Sequence, residues 1–226
     1  MNETADERPR TLQNILSINI AVCIVYFLGG KLGLELHGLE TGAPLVWLPT
    51  GIAVAALFHF GNRALAGMVV GAIAVVGTQL PSSFTVSTVS GLVLQITAGP
   101  LQGLMAVYFL KRFTGTVKLL LSFKSLFVFV LCCSLISSIL SAALGTSSII
   151  LQGIVPSSIA LPVWFNWWIA DALGVLVAAP MLLMLEGRWK RLIISPKKAM
   201  ELLTICIAVS VLATMLFSDV INLSLF

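Results

Sequence analysis

Seven apolar runs, separated by short basic or proline-containing breaks, occupy most of the sequence, and they constrain the fold more than any single residue does. A run of about 20 apolar residues crosses a hydrocarbon core of about 30 Å as a helix, and the alternating pattern of barrel strands is absent. With 58% hydrophobic and only 10% charged residues, the chain lacks the polar side chains to cover a water-soluble surface. It is expected to be an all-α, polytopic transmembrane helical bundle of about seven crossings, forming a single domain over residues 1–226.

The first run, about Leu12 to Leu36, carries Gly29 and Gly33 at a spacing that lets another helix approach closely. The second is irregular. Pro49 to Phe60 covers roughly 18 Å at the helical rise, too short to span, so Leu45 to Leu48 must also lie at membrane depth. Pro49 cannot donate to a helical ladder, so that stretch is expected to be kinked or extended. Such backbone is tolerated in a membrane only against protein or a water-filled cavity.

The third run, about Ala64 to Val76 with an extension to Leu80, has the close-packing pair Gly67 and Gly71 and ends before Pro81. The fourth, about Phe84 to Leu110, contains Pro100 as an expected kink and places Gln95, Gly99 and Gln102 on one face, which should meet protein. The fifth, about Leu126 to Leu144, is serine-rich and uncharged. The sixth, Pro162 to Pro180, is expected to be irregular or kinked, and the seventh covers about Leu202 to Phe217.

Lys and Arg collect before run one, between runs two and three, between four and five, and in the 188–198 loop between six and seven. Lys31 alone falls elsewhere. Short cytoplasmic loops are rich in these residues, so the N-terminus is expected in the cytoplasm and the end of the chain outside. The same clusters account for the net charge of +4 without nucleic acid as a partner. Cys23, Cys132, Cys133 and Cys206 lie in apolar runs without metal-ligand spacing, so neither disulfides nor a metal are expected. The polar, partly acidic start, the length of the first run and the lack of a small-residue cleavage site after it mean that no cleaved signal peptide is expected.

Asp171 stands inside the sixth run, where an ionised side chain costs at least about 2.5 kcal/mol. At 100° per residue, Trp164, Trp167, Trp168, Asp171, Gly174 and Ala178 share a helix face, and Asn166 points well away. Crossings two and six run in the same direction, so Trp47, Pro49 and Gly51 fall at the depth of the tryptophans. An aromatic outer-half cavity with one carboxylate suits a small cationic or amphipathic ligand. The ligand-binding candidates are Asp171, Trp168, Trp167, Trp164, Trp47, Pro49 and Gly51, with Gln95 and Gln102 as cavity lining. The plainer alternatives are a carboxylate that holds helix register, an interfacial tryptophan belt, a packing kink at Pro49, and glutamines bonding between helices.

The segments VWLPTGIAVAALFHFGNRALAGMVVGA and WFNWWIADALGVLVAAPMLL, with LKRF closing the fourth run, resemble the bacterial membrane-associated sensor domain of the first-described type. The likeness covers roughly residues 15 to 185. It implies a multi-pass input module of the bacterial inner membrane that precedes a cytoplasmic histidine kinase, diguanylate cyclase or phosphodiesterase, in two-component or cyclic-di-GMP signalling. Domains of that family usually continue through further crossings, so the expectation is of one that lacks its C-terminal part and its output.

Paired carboxylates, histidine clusters, phosphate-cradling glycine loops and nucleophile–base pairs are all absent, so neither catalysis nor a cofactor is expected of this chain. Two functional classes remain. One is a sensory input domain, with the bilayer, a cytoplasmic output domain or partner membrane protein, and a small ligand as partners; the close-packing glycines also permit a homodimer. The other is a permease or the substrate-binding subunit of a transporter, which internal repeats would favour, and none is visible.

Overall fold

The computed structural model describes residues 7–35, 44–81, 84–114 and 123–184, and every regular element among them is helical. The elements are α1 (Glu7–Glu35), α2 (Leu48–Phe60), α3 (Leu65–Gly77), α4 (Val86–Thr114), α5 (Phe123–Val128), α6 (Ser137–Leu151) and α7 (Ala160–Met184). A 3-10 turn, Gly61–Ala64, joins α2 to α3, and a π-helical stretch, Phe129–Ile136, joins α5 to α6.

Among the described residues, five helical stretches are long and apolar enough to cross a membrane: Leu12–Glu35, Leu48–Gly77, Val86–Thr114, Phe123–Leu151 and Ser157–Leu183. This is fewer than the seven crossings expected, for two reasons. The seventh, like the 188–198 loop, lies outside the described residues. Expected crossings two and three form one helical stretch that reverses at Gly61, whose φ of 59° is natural only to glycine. Packing along α1 shows the reversal. Gly29 faces Leu48 and Ile52 at the start of α2, while Gly30 beside it faces Val75 near the end of α3. A few turns earlier, the Asn19 amide donates to the Arg63 carbonyl at 2.8 Å and accepts from the Gly67 N–H at 2.5 Å. The two arms therefore run antiparallel, with their turn at the Asn19 level of α1. At 13 residues each, about 20 Å at the helical rise, they are short arms.

The opposite side of α1 presents Leu12, Leu16, Ile20, Ile24, Leu28 and Leu32 at four-residue spacing, all exposed. In a membrane-spanning chain such a stripe meets acyl chains, which solvate leucine as well as a protein interior does. The glycines of the first and third runs face protein, as their spacing predicts: Gly33 lies against Trp47, and Gly71 against Cys23 and Tyr26.

α4 and α6 pack antiparallel, held by polar bridges between their serines and glutamines. The Gln102 amide donates to the Ser138 hydroxyl at 2.7 Å, the Cys133 thiol to the Ala106 carbonyl at 3.3 Å, and the Gln152 amide to Gln95 at 3.3 Å. Such bonds replace the hydrophobic drive that lipid removes. Ser137 and Ser138 donate back to the carbonyls of Cys133 and Ser134, so no hydroxyl of that pair is left bare in the core.

Crossing two is irregular as expected, with Leu45 to Trp47 outside any helix and Pro49 in the first turn of α2. Crossing six is not broken. α7 runs unbroken from Ala160 to Met184 with Pro180 inside it, as α4 does around Pro100. A proline removes one backbone bond without ending a helix when its surroundings satisfy the freed group. Crossing five also has an irregular stretch, the π-helical Phe129–Ile136.

Candidate functional site

The non-helical segment before α2 has a specific anchor. The Trp47 N–H, which the helix cannot satisfy, donates to the Ala170 carbonyl of α7 at 2.9 Å. The Thr50 hydroxyl, fully buried, lies within bonding distance of two carbonyls, Trp47 at 2.7 Å and Asp171 at 3.0 Å. Crossings two and six thus touch, in parallel and at one depth. Their approach is close because both sides lack a Cβ. A methyl at Gly174 would run into the Trp47 carbonyl, and one at Gly51 into the Gly174 carbonyl.

One residue along α7 from this bond lies Asp171, with none of its surface exposed. Neither carboxylate oxygen has a hydrogen-bond partner among the described residues. Ser141 of α6 is the hydroxyl that faces it, short of a well-formed bond, and the ring of Tyr26 on α1 lies within electrostatic reach. Buried polar groups are nearly always paired, so a carboxyl without a well-formed bond among the described residues at this depth is unusual.

Beside it opens a cavity of about 450 Å³. Its walls carry Tyr26, Trp47 and Trp167 as aromatics, and Gln79, Gln95, Gln152, Asn166 and Ser141 as polar groups; Ala170 closes one side. The cavity lies toward the start of α2 and the end of α3, at the opposite end of the bundle from Arg63, Lys111 and Arg112. Among the described residues, Lys, Arg, His, Asp and Glu are all missing from its wall. Tyr26 and Ser141 belong to both places, since each lines the cavity and each acts on Asp171.

Of the residues singled out from the sequence, Trp47, Trp167 and Gln95 line this cavity. Asp171, Pro49 and Gly51 are buried next to it, at the α2–α7 contact. Trp164 and Trp168 stack on each other at 5.9 Å, and the Trp168 indole donates to the Leu135 carbonyl of the π-helical stretch at 2.8 Å, away from the cavity wall. Gln102 is spent on Ser138. Asn166, expected to point away from the site, lines the cavity. The helical arithmetic was centred on Asp171, but the cavity lies about a quarter-turn round α7, on the side of Val163, Asn166, Trp167 and Ala170.

Sequence reasoning missed Tyr26, Gln79, Ser141 and Gln152. A single tyrosine in the first run, Gln79 near the end of run three and Gln152 in the segment after run five were the available signals.

No curated protein and no solved structure matches the chain. The profile of the MASE1 family, a family of membrane-associated sensor domains, matches residues 18–226. That match takes in the α2–α7 junction, the cavity and Asp171, and the chain belongs to the MASE1 family of multi-pass membrane sensor domains.

Proposed function

We propose that the chain senses a small molecule in the cavity between α1, α3, α4, α6 and α7, and relays occupancy through the α2–α7 contact to a cytoplasmic signalling output. The family supplies the sensory role. The observation that carries the rest is the bond from the Trp47 N–H to the Ala170 carbonyl, because both residues also form cavity wall. A ligand that displaces either side chain acts at once on the two helices whose far ends lie toward the basic loops. A conformational shift needs a ligand that binds one arrangement better than the other, and a wall made of the moving contact provides that difference. Catalysis belongs, in this reading, to the attached output, a kinase or a cyclic-di-GMP enzyme.

The test is a small-molecule screen on the full chain in nanodiscs, read by thermal stability, followed by titration of the best compound. Trp167→Ala and Gln95→Leu should weaken binding at least tenfold while leaving the unliganded melting temperature within a few degrees. Unchanged affinity in both variants would place binding elsewhere and overturn the proposal.

A further inference from the structure

We infer that the cavity's ligand is an organic ammonium ion, a small amine with an aromatic or aliphatic body, whose charged nitrogen is drawn to Asp171. The inference rests on the sensing reading above and gives its site a chemical class.

Three observations converge on it. Asp171 is fully buried with both oxygens unpartnered among the described residues, and none of the described residues that line the cavity beside it is cationic. A carboxylate that the fold leaves without donors has room for a ligand that brings them. Ser141 lines the cavity and also faces the carboxyl, and Tyr26 lines the cavity within electrostatic reach of it. An ammonium seated against Ser141 reaches Asp171 through that hydroxyl. The remaining wall suits a cation with an apolar body. Trp47, Trp167 and Tyr26 offer aromatic faces, which attract ammonium groups, and Gln79, Gln95, Gln152 and Asn166 offer carbonyl oxygens to its protons. An anionic ligand would find no positive side chain among the described residues of the wall.

The alternative, that Asp171 only fixes helix register, predicts a carboxyl bonded to a neighbouring helix. The backbone carbonyl of Asp171 does accept such a bond, from Thr50, whereas its side chain has only the Ser141 hydroxyl facing it, short of a well-formed bond among the described residues. Register at this point is therefore held by the main chain without the carboxyl.

The experiment titrates the full chain in nanodiscs with 2-phenylethylammonium and, separately, with its neutral counterpart 2-phenylethanol, following tryptophan fluorescence. The wild type should bind the ammonium at least tenfold more tightly, a ratio that Asp171→Asn should bring near one and Asp171→Glu should largely keep. The wild-type comparison needs no variant to fold. Equal affinity for the two probes, or tighter binding of the alcohol, would overturn the ammonium assignment. If Trp167→Ala weakened both equally in that case, the cavity would stand as the site with a neutral ligand. Failure of the wild type to bind either probe would overturn the ammonium assignment too, and the screen described above would then decide on the cavity separately.

Discussion

The Trp47 N–H and the Ala170 carbonyl meet at 2.9 Å, joining a stretch of non-helical backbone to the middle of an unbroken helix. At membrane depth an unpaired N–H costs several kcal/mol, so this bond is a condition of α2 beginning where it does. The cavity, the buried carboxylate and the glycine contact all lie within a few residues of it.

The glycine contact is the most exposed to mutation. A Cβ at Gly174 would meet the Trp47 carbonyl and, at 2.6 Å, the Thr50 hydroxyl. Backbone cannot move aside as a flexible side chain does, so α2 and α7 must separate. Gly174→Ala is expected to cost about 1–3 kcal/mol, visible as a lower melting temperature in detergent, and to weaken ligand binding. A variant as stable as the wild type would show that the two helices are not in close contact.

Thr50→Val keeps the shape and removes a hydroxyl that sits against two carbonyls. Interhelical hydrogen bonds in membranes average about 0.6 kcal/mol and reach about 1.7, so a loss of about 0.6–1.7 kcal/mol is expected on denaturation by sodium dodecyl sulfate. Stability equal to wild type would mean that these bonds do not hold the junction.

Gln95 and Gln102, equivalent in the sequence, should separate in function. Gln102 is fully buried and bonded to Ser138, whereas Gln95 reaches the cavity. Gln102→Leu should lower stability by about 1 kcal/mol without changing affinity for a cavity ligand, and Gln95→Leu should do the reverse. The same affinity loss in both variants would contradict the assignment.

Gly61→Ala probes the reversal between α2 and α3. A Cβ there meets nothing within 4 Å, so its cost is conformational, from φ 59° and ψ −151°. Such backbone costs a residue with a side chain about 1–3 kcal/mol. A thermal melt unchanged by the substitution would mean that the turn is built differently.

Much of this site was legible in the sequence, and the reasons are specific. Pro49 eleven residues before the end of an apolar run announces a helix that starts late, and alternating basic loops set crossings two and six in the same direction. Asp171 is conspicuous by its cost. Angular position around α7 was legible only relative to Asp171, because periodicity does not say where the neighbouring helices stand; hence Trp164 and Trp168 turned out to pack on each other and on the π-helical stretch while Asn166 turned inward. That stretch, FVLCCSLI, has no proline or glycine to mark it. Nor does an apolar run reveal that its glutamine, at residue 79 or 152, will end beside a cavity.

The central claim is that occupancy of the cavity acts on the Trp47–Ala170 contact. Amide hydrogen exchange on the full chain in nanodiscs, with and without saturating 2-phenylethylammonium or the best compound from the screen, tests it most directly. The account predicts that protection of the Trp47 amide changes at least several-fold on binding, while the Gly67 amide, held by Asn19 at the far end of the bundle, is unaffected. Saturated binding with no change at Trp47 would contradict it.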